Sequence, residues 1–317
     1  MIPEEIKKVL KKQHYEIVGK HSAVQICRWT KKSLRNGGVC YKEKFYGIKS
    51  HLCCQMTPSV MWCPNKCVHC WRAIELTLGS ELNGEIESPK EIIDGCIKAQ
   101  RKLLIGFKNS KKIDMKKFEE AQEPTQFAIS LSGEPTVYKR IGDLIEELRR
   151  RGKTSFLVSN GLYPEKIMEL KEKKHLPTQL YISVNTPNKE LYEKFHRSSK
   201  KDAWERLNKS LELLPNIECR TVFRMNLVKD LNMIEPENYA KLIEKANPMF
   251  VEIKGFMSVG FARQRLGYER MPTHKEIIEF AEKILKFLPE YKFLDDKKES
   301  CVVLLGKNKE DMKIKEI

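Results

Sequence analysis

Three cysteines, Cys63, Cys67 and Cys70, share one short stretch with the spacing Cys-x3-Cys-x2-Cys. Thiolates are soft metal ligands, and three of them in so short a loop can wrap one face of a cubane iron–sulfur cluster. The loop supplies no fourth cysteine, which leaves one iron open to a small molecule. Zinc is the competing occupant. A structural zinc site needs four protein ligands, usually from paired Cys-x2-Cys units, and the x3 arm is wrong for that. His69 lies between two of the ligands and would have trouble turning to the same metal.

A second set, Cys27, Cys40 and Cys53, is separated by twelve residues each time. These three close a site only if the segment carrying them folds around it. They read as a second iron–sulfur site with an open iron facing the first. Three unrelated cysteines, or a zinc site completed by a histidine such as His51, are the other readings. Cys54 adjoins Cys53 but points elsewhere, and the equal spacing selects Cys53. Of ten cysteines in the chain, seven fall between residues 27 and 70. A secreted disulfide scaffold would be shorter and would spread its cysteines, so an N-terminal metal region in a reducing compartment is expected.

The elements that must hold these ligands are short apolar strands alternating with longer amphipathic helices. Strands are expected at 57–62, 126–131, 154–158, 179–184, 220–227 and 249–256. Helices are expected at 89–102, 137–151, 164–174, 189–195 with 203–214, 236–246 and 275–288. Pro89, Pro164 and Pro236 suit first helical turns, and Gly152 suits a C-terminal cap. Repeated β-then-α units require crossover helices and so a parallel sheet. Six units predict an α/β fold, a partial (β/α)6 barrel with function gathered at the carboxyl ends of its strands. The expected division is a cysteine-containing N-terminal extension over 1–56, the barrel over 57–290, and a tail over 291–317. That tail reads as a mobile turn from Tyr291 followed by a last strand.

The 317 residues carry a net charge of +16, half of it within residues 1–50. A second basic run, from Arg101 to Lys117, holds a single acidic residue, Asp114. Such density favours a polyanionic partner, nucleic acid being the usual one. No apolar run is long enough to cross a membrane and the amino terminus lacks a signal-peptide core, so a cytoplasmic protein is expected, as a monomer.

The Cys63–Cys67–Cys70 loop after the first strand of a βα scaffold resembles the signature of the radical S-adenosylmethionine (SAM) superfamily. There, SAM chelates the open iron of a [4Fe–4S] cluster, and reductive cleavage gives a 5′-deoxyadenosyl radical. Most members have an aromatic residue before the third cysteine; this chain has His69, a planar substitute. The resemblance implies SAM contacts at successive strand ends. Gly133 and Glu134 match the segment that contacts the SAM amino group. Asn160 ends the third strand. Ser183 and Asn185 stand where ribose contacts are common, and Arg224 is placed to pair with the SAM carboxylate.

With the second cysteine set and the basic surface, the chain from Cys27 onward is closely similar to the archaeal tRNA 4-demethylwyosine synthases of the wybutosine pathway. That family condenses N1-methylguanosine at position 37 of phenylalanine tRNA with pyruvate. The radical takes hydrogen from the N1-methyl group, the resulting carbon radical adds to C2 of pyruvate, and loss of the carboxyl carbon with ring closure follows. Pyruvate is anchored either by the open iron of the second cluster or by a Schiff base to Lys42, two residues after Cys40. The target base would splay from the anticodon loop, with Trp29, Trp71, Phe45 and Tyr46 as candidate stacking aromatics. Eukaryotic relatives carry a flavin domain ahead of this region. Since this chain begins just before Cys27, a separate flavodoxin- or ferredoxin-like donor is expected. The alternatives are a radical SAM enzyme with an auxiliary cluster acting on a peptide or small molecule, a zinc-containing RNA-binding protein, and a radical SAM methyltransferase using Cys301.

Overall fold

The computed structural model describes residues 1–315; residues 316 and 317 of the expected tail lie outside them. Two short strands, β1 (Glu16–Val18) and β2 (Ser22–Gln25), pair antiparallel, and β2 lies antiparallel to β3 (Cys53–Thr57). From β3 the sheet runs parallel, in chain order, through β4 (Gln126–Ile129), β5 (Thr154–Ser159), β6 (Gln179–Ser183), β7 (Arg220–Leu227) and β8 (Phe250–Gly255). The last two strands, β9 (Lys292–Lys297) and β10 (Val302–Gly306), return antiparallel, β10 against β8 with β9 outermost. Six sequential parallel strands with their ends unjoined form the expected open barrel, and the sheet is continuous across residues 56 and 290.

Helices of widely differing length accompany the sheet. The first 120 residues carry α1 (Glu4–Lys12), α2 (Arg28–Ser33), α3 (Tyr41–Tyr46), α4 (Pro89–Ile105) and α5 (Met115–Glu120). The later crossovers, after α4 and α5 between β3 and β4, are α6 (Ile141–Arg150), α7 (Pro164–Glu172), α8 (Lys189–His196), α9 (Ala203–Leu213) and α10 (Pro236–Ala246), followed by α11 (Ala262–Leu266) and α12 (His274–Leu285). Helix α4 shows why it starts where it does. Ser88 and Glu91 form a reciprocal capping box around Pro89, which needs no amide donor in the first turn.

Strand alternation sorts the core into two faces. Outward residues such as Cys54, Met56, Phe127, Ile129, Leu180 and Phe223 join Ile92, Ile93 and Cys96 of α4 in the main apolar cluster. Inward residues Phe156, Tyr181, Val222 and Phe250 pack instead with Tyr41, Phe45 and Tyr46, so α3 lies inside the curve of the sheet. Arg220, at the start of β7, donates to the carbonyls of Asp311 and Met312, and Ile314 N donates to Tyr46 O at 3.0 Å. Helix α3 and the chain's last described residues therefore close the mouth at the amino ends of the parallel strands.

Two expected elements are corrected. The first parallel strand is Cys53–Thr57 rather than 57–62, because Cys53 and Gln55 face inward while Cys54 and Met56 face the helices. A polar glutamine and two cysteines disguise that alternation, and Pro58 follows its end. The stretch after Tyr291 is not a turn but β9. Its charged sequence, with two lysines and two aspartates, is what an exposed edge strand needs to avoid pairing with another chain.

Candidate active site

The loop after β3 carries Cys63, Cys67 and Cys70, all half-buried. The end of α8 clamps it from one side: Lys66 N donates to His196 O (2.9 Å), Val68 N to Phe195 O (3.0 Å), and Ser199 N to Pro64 O (2.8 Å). Arg265 braces it from another, donating to the carbonyls of Val68 and Cys70. His69 stacks on Phe195 with ring centroids 4.9 Å apart, which is how a histidine fills the planar position before the third cysteine. Burial pushes the Cys63 thiol up to about 11, partly opposed by the nearby Arg72 guanidinium. Burial also raises Cys67, with Cys63 and Cys70 as neighbours.

Buried polar atoms without partners collect at this loop: both side-chain atoms of Asn65, Nδ1 of His69, Nη1 of Arg72 and Nε2 of His196. Native proteins leave few such orphans, so their concentration suits a loop built around a further group. Among the described residues no three Cys, His, Asp or Glu side chains converge on a point that one metal ion would occupy. A cubane asks for something different, since each thiolate takes its own iron. Three spread thiols with a buried Arg72 beside them fit an anionic cluster.

The strand ends around the loop divide into braces and open groups. Gly133 has φ +74°, and a Cβ there would collide with the carbonyl oxygen of Ser59, so only glycine allows this approach of β4's end to the cysteine loop. The Glu134 carboxylate accepts from Thr136 Oγ1 (2.7 Å), Ser159 Oγ (2.9 Å) and Asn160 N (2.7 Å), which ties the ends of β4 and β5 together. Asn160 reaches toward Cys63, with Nδ2 3.8 Å from its sulfur. Asn185 joins β6 to β7, its Oδ1 accepting from Asn226 N at 2.9 Å. Ser183 is half-buried at the end of β6. The Arg224 guanidinium makes no hydrogen bond or ion pair within the chain among the described residues, and it stands close enough to His69 to depress that imidazole further, after burial.

In the second cysteine set, Cys40 and Cys53 stand close enough to Lys42 to act on its charge, and Cys27 neighbours both of those thiols. Cys27 and Cys40 are the residues preceding α2 and α3, and Cys53 opens β3. Ser50 binds these segments into one unit: its Oγ accepts from Cys40 N (2.8 Å), its carbonyl accepts from Thr30 Oγ1 (3.0 Å), and Glu43 receives its N–H (2.7 Å). Burial and neighbouring Cys27 push the Cys40 thiol up to about 12, while Lys42 pulls the other way. His51 instead pairs with Glu120 at 2.6 Å. Cys54, on the opposite face of β3, packs toward Cys96.

Lys42 itself is 8% exposed, with its ammonium 4.5 Å from the Tyr181 ring centroid and 4.9 Å from that of Phe156. No carboxylate pairs with it among the described residues. Burial lowers its pKa, partly offset by Glu252. Glu252, fully buried on β8, receives both tyrosines of Lys42's helix: Tyr41 Oη at 3.0 Å and Tyr46 Oη at 2.7 Å. Lys254, two residues on, points to the same interior, donates to Ser300 O at 2.9 Å, and is lowered to about 8 by burial and Arg224. Neither Glu252 nor Lys254 was expected from the sequence. The alternation of charge within the apolar run 249–256 was the available signal, since a central strand keeps charged residues only where they face a cavity or a partner.

Residues 58–243 match the profile of the Radical SAM superfamily, and residues 245–307 match one described as wyosine base formation. The S-adenosyl-L-methionine-dependent tRNA 4-demethylwyosine synthase of Pyrococcus abyssi is 51% identical over 310 residues, 98% of this chain and 91% of that protein. This chain belongs to the tRNA 4-demethylwyosine synthase family. It is a radical SAM enzyme of wyosine formation, and the superfamily implies a [4Fe–4S] cluster and SAM. Two solved structures agree in fold over 99% of the chain. One, described as TYW1 with a lysine-pyruvate adduct bound, has a TM-score of 0.87 at 37% identity and is covered to 98%. The other, described as archaeal TYW1, has a TM-score of 0.80 at 34% identity and is covered completely.

For a demethylwyosine synthase the substrate is a tRNA, and the two basic runs form one surface. Ile26 and Leu34 pack with Leu104, Ile113 and Phe118. Asp114 N donates to Leu34 O at 2.8 Å, and Lys117 Nζ to Asn36 Oδ1 at 2.6 Å. Lys108, Lys111, Lys112 and Lys116 remain exposed there. Of the candidate stacking aromatics, Phe45 and Tyr46 are core residues with no exposed surface. Trp29 is half-buried and faced by Arg28, Lys32 and Lys297 at 5.1–5.9 Å. Trp71 is half-buried against the main core.

Proposed function

We propose that this synthase joins N1-methylguanosine at position 37 of phenylalanine tRNA to pyruvate, with Lys42 carrying the keto acid as a Schiff base. The observation that carries the reading is the Lys42 amine, without a carboxylate partner among the described residues and held over two aromatic rings inside the barrel. A buried amine of lowered pKa is the form that attacks a ketone. Its nitrogen bonds to C2 of pyruvate, and the keto oxygen leaves as water. The lysine-pyruvate adduct described for the 37% identical TYW1 structure supports the same assignment.

Cys63, Cys67 and Cys70 would hold the cluster that binds SAM; with SAM bound, it supplies a 5′-deoxyadenosyl radical. Gly133 and Glu134 set the distance between that loop and β4, while Asn160, Ser183, Asn185 and Arg224 border the space where SAM would lie. Cys27, Cys40 and Cys53 would hold a second iron–sulfur cluster beside Lys42, which supports a shared chamber for radical and keto acid. The merged basic surface would receive the anticodon-loop phosphates, and Trp29, half-buried among cations, would stack a base there. Electrons would come from an acidic flavodoxin- or ferredoxin-like protein. A surface depression that reaches Cys63 and is bordered by Lys66 and Arg197 supports that choice.

Anaerobic turnover with SAM, pyruvate, dithionite and tRNA bearing N1-methylguanosine tests the reading. A tricyclic product is expected. SAM cleavage without it would refute the substrate assignment and spare the radical chemistry.

A further inference from the structure

The end of α8 does more than clamp the cysteine loop. Nδ1 of His196 lies 3.0 Å from the sulfur of Cys67, the middle cysteine of the triad. The ring is 3% exposed, and three aromatic neighbours fix its plane: Tyr192 at 4.4 Å, Phe195 at 5.2 Å and His69 at 6.2 Å between centroids. The backbone bonds from Lys66 and Val68 to this segment hold the contact from both sides.

Which atom carries the proton follows from the chemistry of the sulfur. A free thiol can donate to an imidazole nitrogen, but a thiolate bound to iron has no proton to give. The only attractive contact left is Nδ1–H donating to sulfur. Nε2 has no hydrogen-bond partner among the described residues, so placing the proton on Nδ1 breaks no other bond. Hydrogen bonds to cluster sulfurs stabilise the reduced, more negative state and raise its potential.

We propose that His196 is a positioning residue for the SAM-binding cluster, donating a hydrogen bond from Nδ1 to the Cys67 sulfur and thereby making the cluster easier to reduce. The proposal rests on the assignment of the Cys63, Cys67 and Cys70 cluster. Its residue lies outside every motif in that assignment.

The test is a redox titration of reconstituted enzyme, followed by electron paramagnetic resonance, in wild type, His196→Phe and His196→Asn. Asparagine can place an N–H where Nδ1 stands; phenylalanine keeps the stacking and removes the donor. At a fixed poise near the wild-type midpoint, the ratio of reduced to oxidised cluster in His196→Phe should fall several-fold. A tenfold fall corresponds to about 59 mV for one electron. His196→Asn should stay close to wild type. In the wild type, hyperfine spectra should contain an exchangeable proton near the cluster that the phenylalanine variant lacks. Equal potentials in iron-replete wild type and His196→Phe would overturn the proposal. If His196→Phe fails to take up iron, a wild-type cluster without that proton coupling would overturn it instead. A wild-type protein that binds no cluster would strike at the ligand assignment, a separate failure.

Discussion

The ammonium group of Lys42 sits 4.5 Å from the ring centre of Tyr181, inside the barrel and without a carboxylate partner among the described residues. Cation–π contact stabilises the charged form, whereas burial, the larger effect, favours the neutral one and lowers the pKa. The neutral amine is the nucleophile, so its fraction grows as pH rises. Adduct formation should therefore increase with pH and level off below the value of about 10.4 at which a free lysine titrates. Pyruvate-dependent borohydride trapping across a pH series measures this. A rise that tracks an ordinary lysine would contradict it.

Glu252 ties Lys42's helix to β8 through Tyr41 and Tyr46. Tyr46→Phe should lower stability by about 1.5–3 kcal/mol, the range for a hydrogen bond to a charged group. Urea unfolding of the purified protein reads it directly. Adduct yield should fall with it, because the helix that carries the amine loosens.

The two faces of β3 give a sharp contrast between adjacent cysteines. Reconstituted wild type should hold about eight irons if both clusters are cubanes. Cys53→Ala should lose about half of them, and so should Cys63→Ala, whereas Cys54→Ala should keep the wild-type content and lose only packing. Equal iron loss from Cys53→Ala and Cys54→Ala would contradict the assignment.

Gly133→Ala places a Cβ against the carbonyl oxygen of Ser59, at a φ that costs a non-glycine residue about 1–2 kcal/mol even without a clash. The loop must shift away from β4. Reduced SAM cleavage with retained iron from the second site is the expected pattern, measured by iron content and 5′-deoxyadenosine release.

Charge reversal at Lys66 and Arg197 should slow cluster reduction by an acidic flavodoxin and flatten its salt dependence, while leaving reduction by dithionite unchanged. Stopped-flow bleaching of the cluster with each reductant separates the two. If tRNA affinity falls instead, the depression belongs to the RNA surface.

Much of this was legible in the chain. Crossover helices such as Pro236–Ala246 and the strand Arg220–Leu227 stand where hydrophobic periodicity and helix-starting prolines put them. The choice of Cys53 over Cys54 rested on spacing, and strand alternation places the two on opposite faces. What sequence concealed was long-range partnership. Glu134 reads as a ligand contact, and nothing in the sequence shows that its carboxylate also accepts from Thr136, Ser159 and Asn160. Phe45 and Tyr46 read as candidates for stacking a base or for core packing, and α3, drawn inside the sheet, buries both. His196 has no motif at all, and only the fold brings it across more than a hundred residues to Cys67.

The most direct measurement is borohydride trapping with carbon-13 pyruvate under anaerobic conditions, followed by peptide mass spectrometry. One reduced pyruvyl group on the peptide containing Lys42, absent from Lys42→Arg, is the predicted result. Label on Lys254 instead, or full turnover by Lys42→Arg, would contradict the account.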